Sequence, residues 1–417
     1  VWRIESARIV GALARYTNDF GLAEDVAQEA LAEALQGWPR DGVPPNPAGW
    51  LFTVGRRRAI DAFRRRAALD ERYAALGRDL DEGDAASGRA APAAGPSVEP
   101  DVLWDPDAID DDILALMFTA CHPVLSPEAR VALTLRVVGG LSSEEIARAF
   151  VVAVPTVQAR ITRAKKTLAA ARVPFELPAP EHRRARLGAV LSVLYVIFTE
   201  GSTATAGPDL LRPDLAREAR RLARVLAQLL PDEPEVHGLL ALMELTAARF
   251  PARVGPNGAP ILLEDQDRSR WDRPAIARGQ GALARAAASG RGLGPYGLQA
   301  AIASCHALAP SVDKTDWETI VVLYEALSQV APSPIVDLNR AVAVAMAQGP
   351  LAALAIVDDL LATNRLAGSH LVPSVRAELL ARLGRIEEAH QEFELAARLS
   401  TNERERALMT AKAARLG

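Results

Sequence analysis

The sequence predicts an all-α protein: two small helical domains, the second with a helix-turn-helix, joined by a flexible acidic linker and followed by a larger helical-repeat domain. Three observations predict it. Alanine, leucine and arginine dominate, and runs of β-branched or aromatic residues suited to strands are scarce. Proline- and glycine-rich breaks divide the chain into segments of helical length. At 417 residues the chain exceeds one ordinary core, which points to about two to four domains.

In chain order, the first domain spans residues 1–73 and reads as three helices, near 5–16, 22–35 and 47–66. Pro47 stands at the start of the third, where its missing N–H costs little. Residues 37–46, GWPRDGVPPN, read as a loop by every breaker rule. Residues 74–112 are rich in Ala, Gly, Pro and acids with no apolar period, the signature of a linker. Helical patterning resumes at Ile113 and defines a second domain over 113–173, bounded by Pro174, Pro178 and Pro180. Residues 182–417 form a long helical region. In it Gly349 and Gly384 lie 35 residues apart, each followed by an Ala-rich amphipathic helix, close to the period of about 34 of tetratricopeptide repeats. A generic stack of helical hairpins is the alternative.

The net charge of −4 hides strong segregation. Residues 56–66 carry six arginines against one acid, Asp61; residues 155–172 carry five basic residues and no acid; residues 99–112 carry seven acids and no Lys or Arg. Basic blocks around an acidic one suggest local DNA-binding surfaces, with solvated helix faces as the bland alternative. The acidic stretch is further expected to mask the Arg56 to Arg66 face. Cys121 and Cys305 are the only cysteines, so a disulfide framework is excluded and a reducing cytoplasm fits. The pairs Cys121-His122 and Cys305-His306 lack the short spacing of structural zinc sites and read as buried structural residues. No secretory signal opens the chain, and residue 1 is Val, as an alternative start codon or a trimmed chain would give. The apolar run 187–198 is too short for a bilayer and reads as a core helix.

The most specific local signal is a helix-turn-helix over residues 141–161. Ser142 or Ser143 can cap a first helix with acids in its first turn, and Ala147 is small where two helices must cross. Val157 and Ile161, four apart, face the first helix. Thr156, Gln158, Arg160 and Arg163 are left for base edges and phosphates, with Lys165 and Lys166 as phosphate anchors. Val151 stands where such turns commonly carry Gly.

These residues, with two earlier blocks, resemble a family. Residues 22–30, LAEDVAQEA, look like the polymerase-binding helix of extracytoplasmic-function (ECF) sigma factors of the sigma-70 family, and residues 48–61 are similar to their promoter-melting helix. The helix-turn-helix falls where their fourth conserved region belongs. Residues 118–123 and 262–272 look like the subgroup with a C-terminal tetratricopeptide-like domain.

The resemblance implies that Asp25, Gln28 and Glu29 dock on the clamp of the largest subunit of core RNA polymerase, whose flap is a second contact. It implies that Arg56, Arg57, Arg58, Arg64 and Arg65 track minus-ten promoter DNA, while Trp38, Arg40, Asp41 and Asn46 capture a flipped base. Arg57 departs from the usual Asn. Thr156, Gln158, Arg160, Arg163, Lys165 and Lys166 would read the minus-thirty-five element, and the last domain would regulate the others and bind a protein partner. The expected protein is bacterial and cytoplasmic, not an enzyme, without cofactor, metal or membrane contact. The mixed charges of residues 264–273 read as an interhelical salt-bridge knot. The competing expectation is a helix-turn-helix regulator with a tetratricopeptide-like effector domain that does not replace a sigma subunit. It has no use for Asp25, Gln28 and Glu29.

Overall fold

The computed structural model describes residues 2–80, 106–150, 152–204, 209–255, 258–364 and 366–416. Among these the chain is almost entirely helical. Val254 and Pro260 form an isolated antiparallel bridge. The helices divide into two compact units, 1–193 and 194–417.

The first unit opens with α1 (Trp2–Thr17), α2 (Phe20–Asp41) and α3 (Pro47–Leu80), packed on one another. It continues with α4 (Pro106–Ala120), α5 (Pro127–Val137), α6 (Ser143–Phe150) and α7 (Val154–Ala170). Asp19 starts α2 by accepting the Leu22 N–H at 3.0 Å. Ser126 caps α5 through the Ala129 N–H. Ile9, Leu13, Leu51, Leu116, Phe118, Leu133 and Ile146 are among its fully buried side chains.

Three boundaries differ from the sequence reading. α2 continues through Gly37, Trp38 and Pro39 to Asp41, so only residues 42–46 separate it from α3. Pro39 lies in the last turns beside exposed Leu35, where a carbonyl freed by proline is open to water. Gly42 ends the helix at φ 84°, its N–H bonded to the Trp38 carbonyl. α3 runs to Leu80 because residues 67–80 are rich in Ala, Leu and Arg. α4 starts at Pro106, seven residues before the expected Ile113, with acids suited to a helix N-terminus. The expected linker and its proposed masking role lie largely outside the described residues.

α4 packs on α1. Gly11 allows the approach: a Cβ there would sit 3.0 Å from the Asp112 Cβ and 3.2 Å from its carbonyl carbon. Asp112 is buried, with Arg15 at 3.4 Å. Burial raises its carboxyl to about 6, Arg15 opposing and Asp111 adding to the rise. The folded state therefore holds this proton more tightly than the unfolded chain. Its contribution to stability falls as pH rises from 3.8 toward about 6 and is flat above. Asp112→Asn is expected to stabilise the protein at pH 7.5 by about 1 kcal/mol after allowance for screening. The gain should vanish near pH 4, as urea denaturation at the two pH values will read.

α8 (Pro180–Ser202) runs through the boundary between the units. The segment His182–Ser202 is long and apolar enough to cross a membrane, against the sequence reading of a shorter run, but more than half of its apolar stretch is buried inside the protein. Leu187, Leu191, Leu194, Ile197 and Phe198 are buried, as a core helix requires.

The second unit contains α9 (Pro213–Leu229), α10 (Pro234–Ala247), α11 (Phe250–Arg253), α12 (Arg273–Ala288) and α13 (Pro295–Leu308). It continues with α14 (Trp317–Val330), α15 (Pro334–Ala347), α16 (Pro350–Ala362), α17 (Leu371–Arg382), α18 (Ile386–Leu399) and α19 (Glu403–Ala414). Proline opens α9, α10, α13, α15 and α16, where no intrahelical N–H is needed. From α13 onward each helix packs on the next. Gly349 (φ 97°) and Gly384 (φ 76°) turn the chain into α16 and α18, which gives the 35-residue spacing its structural meaning.

The ionic knot of this unit is not where the sequence suggested. Within residues 264–273, Asp267 caps a single helical turn and Asp272 caps α12, and Arg268 donates to the carbonyls of His306 and Ala309 and lies over the Trp271 ring. Glu264 reaches Arg382 at 3.6 Å. The knot instead centres on Glu244 of α10, 1% exposed, which accepts from Arg220 and Arg224 of α9 and Arg278 of α12.

Candidate nucleic-acid and partner interface

The helix-turn-helix forms from local chemistry. The Ser142 hydroxyl accepts the Glu145 N–H at 3.1 Å, and the Glu145 carboxylate accepts the Ser142 N–H at 2.9 Å, a reciprocal capping box that starts α6. Ile146 and Ala147 of α6 and Val157, Ile161, Ala164 and Leu168 of α7 are buried, so one face of each helix is spent on packing. Val151, the residue in place of a turn glycine, lies outside the described residues. Gln158, Arg163 and Lys166 are exposed, and Thr156 and Arg160 are half-buried. Arg160 and Arg163 line a cleft of about 430 Å³ with Ser126 and Glu128. Arg160 helps to lower the Glu128 carboxyl, behind the larger effects of its own backbone N–H and Ser126.

Lys165 departs from its neighbours. It is 16% exposed and its ammonium donates to Asp25 at 2.6 Å and to the buried Glu24 of α2. Burial opposes its charge, but the two carboxylates outweigh that and raise its pKa. Arg136 of α5 donates to the same Glu24 at 3.1 Å and to the Leu141 carbonyl. One buried carboxylate on α2 thus holds a cation from α5 and one from α7.

The sequence reading missed Glu24. The signal was present: Phe20, Ala23, Ala27, Ala30 and Ala34 repeat at three and four residues, and Glu24 falls on that buried face. A carboxylate there needs a cationic partner. Asp25 and Glu29 are exposed and Gln28 is half-buried, so the three share one edge of α2, with Asp25 engaged by Lys165.

The arginines of α3 do not form one exposed track. Arg56 lies over the Tyr16 ring at 5.6 Å. Arg57 and Arg58 both reach Glu33 of α2, at 3.0 and 2.8 Å, and Glu29 stands 3.9 Å from Arg58. Arg58 leads in holding the Glu33 carboxyl below its usual range. Arg64 lies near Asp61, Arg65 donates to the Asp61 carbonyl, and both remain exposed.

Of the residues expected in a loop, Trp38, Arg40 and Asp41 stand in the last turns of α2, with Arg40 bonded to the Gln36 carbonyl. The Trp38 ring meets that of Trp50 edge-on at 5.5 Å. Asn46 accepts the Gly49 N–H at 2.9 Å and begins α3. Cys121, expected to be structural, is buried against the Thr134 hydroxyl at 3.3 Å, and burial raises its thiol to about 11.

Residues 3–68 match the family model for sigma-70 region 2, residues 115–168 that for sigma-70 region 4, and residues 186–287 that of a family of unknown function, DUF6596. An uncharacterized protein of Rhizobium meliloti, R00370, is 45% identical over 401 residues, 95% of this chain and 90% of that one. The probable ECF RNA polymerase sigma factor SigI of Mycobacterium tuberculosis is 27% identical over 183 residues, 44% of this chain and 58% of SigI. The ECF RNA polymerase sigma factor SigK of Mycobacterium ulcerans is 25% identical over 162 residues, 39% of this chain and 78% of SigK. No solved structure matches the chain. With a capped helix-turn-helix in region 4 and an acidic-edged helix in region 2, the chain belongs to the family of the Rhizobium protein and is of the ECF sigma-factor type.

Proposed function

We propose that the protein directs core RNA polymerase to specific promoters, and that its free form is closed between region 2 and region 4. The observation that carries the second half is Lys165 of α7 seated on Glu24 and Asp25 of α2. The same edge of α2 offers Asp25, Gln28 and Glu29, two carboxylates and an amide at i, i+3 and i+4, for a basic helix of the polymerase clamp. One carboxylate cannot serve Lys165 and the clamp at once. Polymerase binding therefore competes with the intramolecular pair, and opening releases Lys165 for a phosphate.

In the open form, α7 enters the major groove of the minus-thirty-five element, with Gln158, Arg160 and Arg163 toward bases and backbone and Thr156 and Lys166 beside them. The α3 arginines leave Glu33 for the minus-ten strand, and the rings of Trp38 and Trp50 offer stacking faces near Arg40, Asp41 and Asn46. None of this chemistry makes or breaks a covalent bond. The polymerase flap is the second docking surface, for region 4. The C-terminal helical unit, read as tetratricopeptide-like, sets the activity of the first unit and takes a protein partner. The work takes place in the cytoplasm, with no part for a membrane.

Run-off transcription with purified core enzyme on promoter templates tests the reading. Promoter-specific transcripts are expected from the wild type. Reversing the charge of Asp25 and Glu29 to Lys should weaken core association by at least about 100-fold, roughly 3 kcal/mol. Arg160→Ala should weaken promoter discrimination by about 1–3 kcal/mol while leaving core association intact. Duplex promoter binding without polymerase, unaffected by the α2 reversals, would contradict the reading.

A further inference from the structure

The C-terminal unit contains a cavity of about 610 Å³ between α8, α10, α13, α14 and α15. Arg249, which directly follows α10, is its charged wall, and no Asp or Glu lines it. Among the described residues the Arg249 guanidinium has no hydrogen bond or ion pair. Arg249 is half-buried, at the edge of α10, and lines this cavity. Burial lowers its pKa to about 10, Arg253 and Arg268 adding and Tyr324 opposing, so it stays charged at neutral pH. A partly desolvated cation in a folded protein ordinarily has a compensating partner.

The nearby cations supply none of that compensation. Arg253 donates to the Ser202 carbonyl and the Thr203 hydroxyl, and Arg268 to the carbonyls of His306 and Ala309. The remaining polar groups of the cavity are neutral. Burial pushes the Tyr324 hydroxyl up to about 12, so it remains a proton donor, and it has no protein partner among the described residues. Burial, with Arg249 and Arg268, lowers His306 to about 4, so the imidazole is uncharged at pH 7. The Tyr195 hydroxyl already donates to Gln299. Leu242, Leu245, Ile302 and Leu327 supply apolar lining.

We propose that this cavity binds a small monocarboxylate, its carboxylate on Arg249 and the Tyr324 hydroxyl and its hydrocarbon body against Leu242, Leu245, Ile302 and Leu327. One unpartnered positive charge matches one negative charge; a phosphate dianion would leave charge uncompensated, and no lysine lines the cavity to meet it. The volume lies within the range of small-molecule sites, and apolar walls with few placed polar groups are their usual make-up. The proposal stands independently of the polymerase reading.

Thermal unfolding and calorimetric titration of the full chain test it, using hexanoate, octanoate, benzoate and phenylacetate, the primary amide of each, and inorganic phosphate. At least one carboxylate is expected to bind saturably and raise the midpoint, while its amide and phosphate do not. Arg249→Met should weaken that binding at least about tenfold and raise the ligand-free midpoint, since it removes an uncompensated cation. Tyr324→Phe should fold normally and weaken binding several-fold. Failure of every acid to bind, equal binding of acid and amide, phosphate as the preferred probe, or undiminished binding by Arg249→Met would each overturn the assignment. Should Arg249→Met fail to fold, Tyr324→Phe decides, and unchanged affinity in that variant counts against the site.

Discussion

Glu244→Ala is expected to destabilise the protein by about 3–5 kcal/mol, a large part of the stability of a typical domain. The cause is what the substitution leaves behind. Arg220 is 17% exposed and its guanidinium donates to Glu244 at 2.6 Å; Arg224 and Arg278, roughly half exposed, converge on the same carboxylate. Removing the acid leaves Arg220 with its desolvation uncompensated and the other two in mutual repulsion, at the junction of α9, α10 and α12. The half-exposed pair recovers some hydration, so most of the loss comes from Arg220.

Burial alone would raise the Glu244 carboxyl, but the arginines, Arg220 foremost, hold it below its ordinary 4.5. Its contribution is therefore fully present above pH 4.5 and lost as pH falls through the lower folded value. Glu244→Gln keeps an acceptor without the charge and should fall between wild type and alanine. Urea denaturation at pH 7 reads both effects, and a loss under 1 kcal/mol for alanine would show that the three arginines find water instead.

The second large effect concerns function. Lys165→Met keeps the apolar stem but removes the ammonium that bridges α7 to Glu24 and Asp25. The closed form then holds a buried Glu24 satisfied by Arg136 alone. Charged hydrogen bonds of this kind contribute roughly 1.5–3 kcal/mol, so apparent core-polymerase affinity should rise about 10- to 100-fold as the competing state is depopulated. Promoter output should not rise in step, because the same ammonium is lost to the DNA backbone, and the salt dependence of promoter binding should fall by about one phosphate contact. Tighter core binding with unimproved promoter binding is a split that a merely structural lysine would not produce.

Features set by near neighbours in the chain were legible from sequence. The capping box of Ser142 and Glu145, the packing of Val157 and Ile161, and the glycine turns at 349 and 384 are written in spacings of a few residues. So was the all-helical class, since proline marks many of the helix starts. What escaped depends on distant partners. Lys165 and Asp25 are 140 residues apart, and nothing in either segment says that they meet. The arginines at 56–58 read as one basic run, but α3 turns successive residues by about 100°, which sends Arg56 to Tyr16 and Arg57 and Arg58 to Glu33. Breaker rules misjudged Gly37, Trp38 and Pro39 because they weigh residue types, not the ring of Trp50 waiting across the turn. The Arg249 cavity is assembled from five helices, with no motif of its own.

The competition for α2 can be measured by energy transfer between fluorophores attached at Gln36 on α2 and Ala169 on α7, both exposed. The account predicts high transfer in the free protein and a marked drop on saturation with core RNA polymerase, with Lys165→Met already shifted toward the low value. Transfer that stays unchanged when core polymerase binds would contradict it.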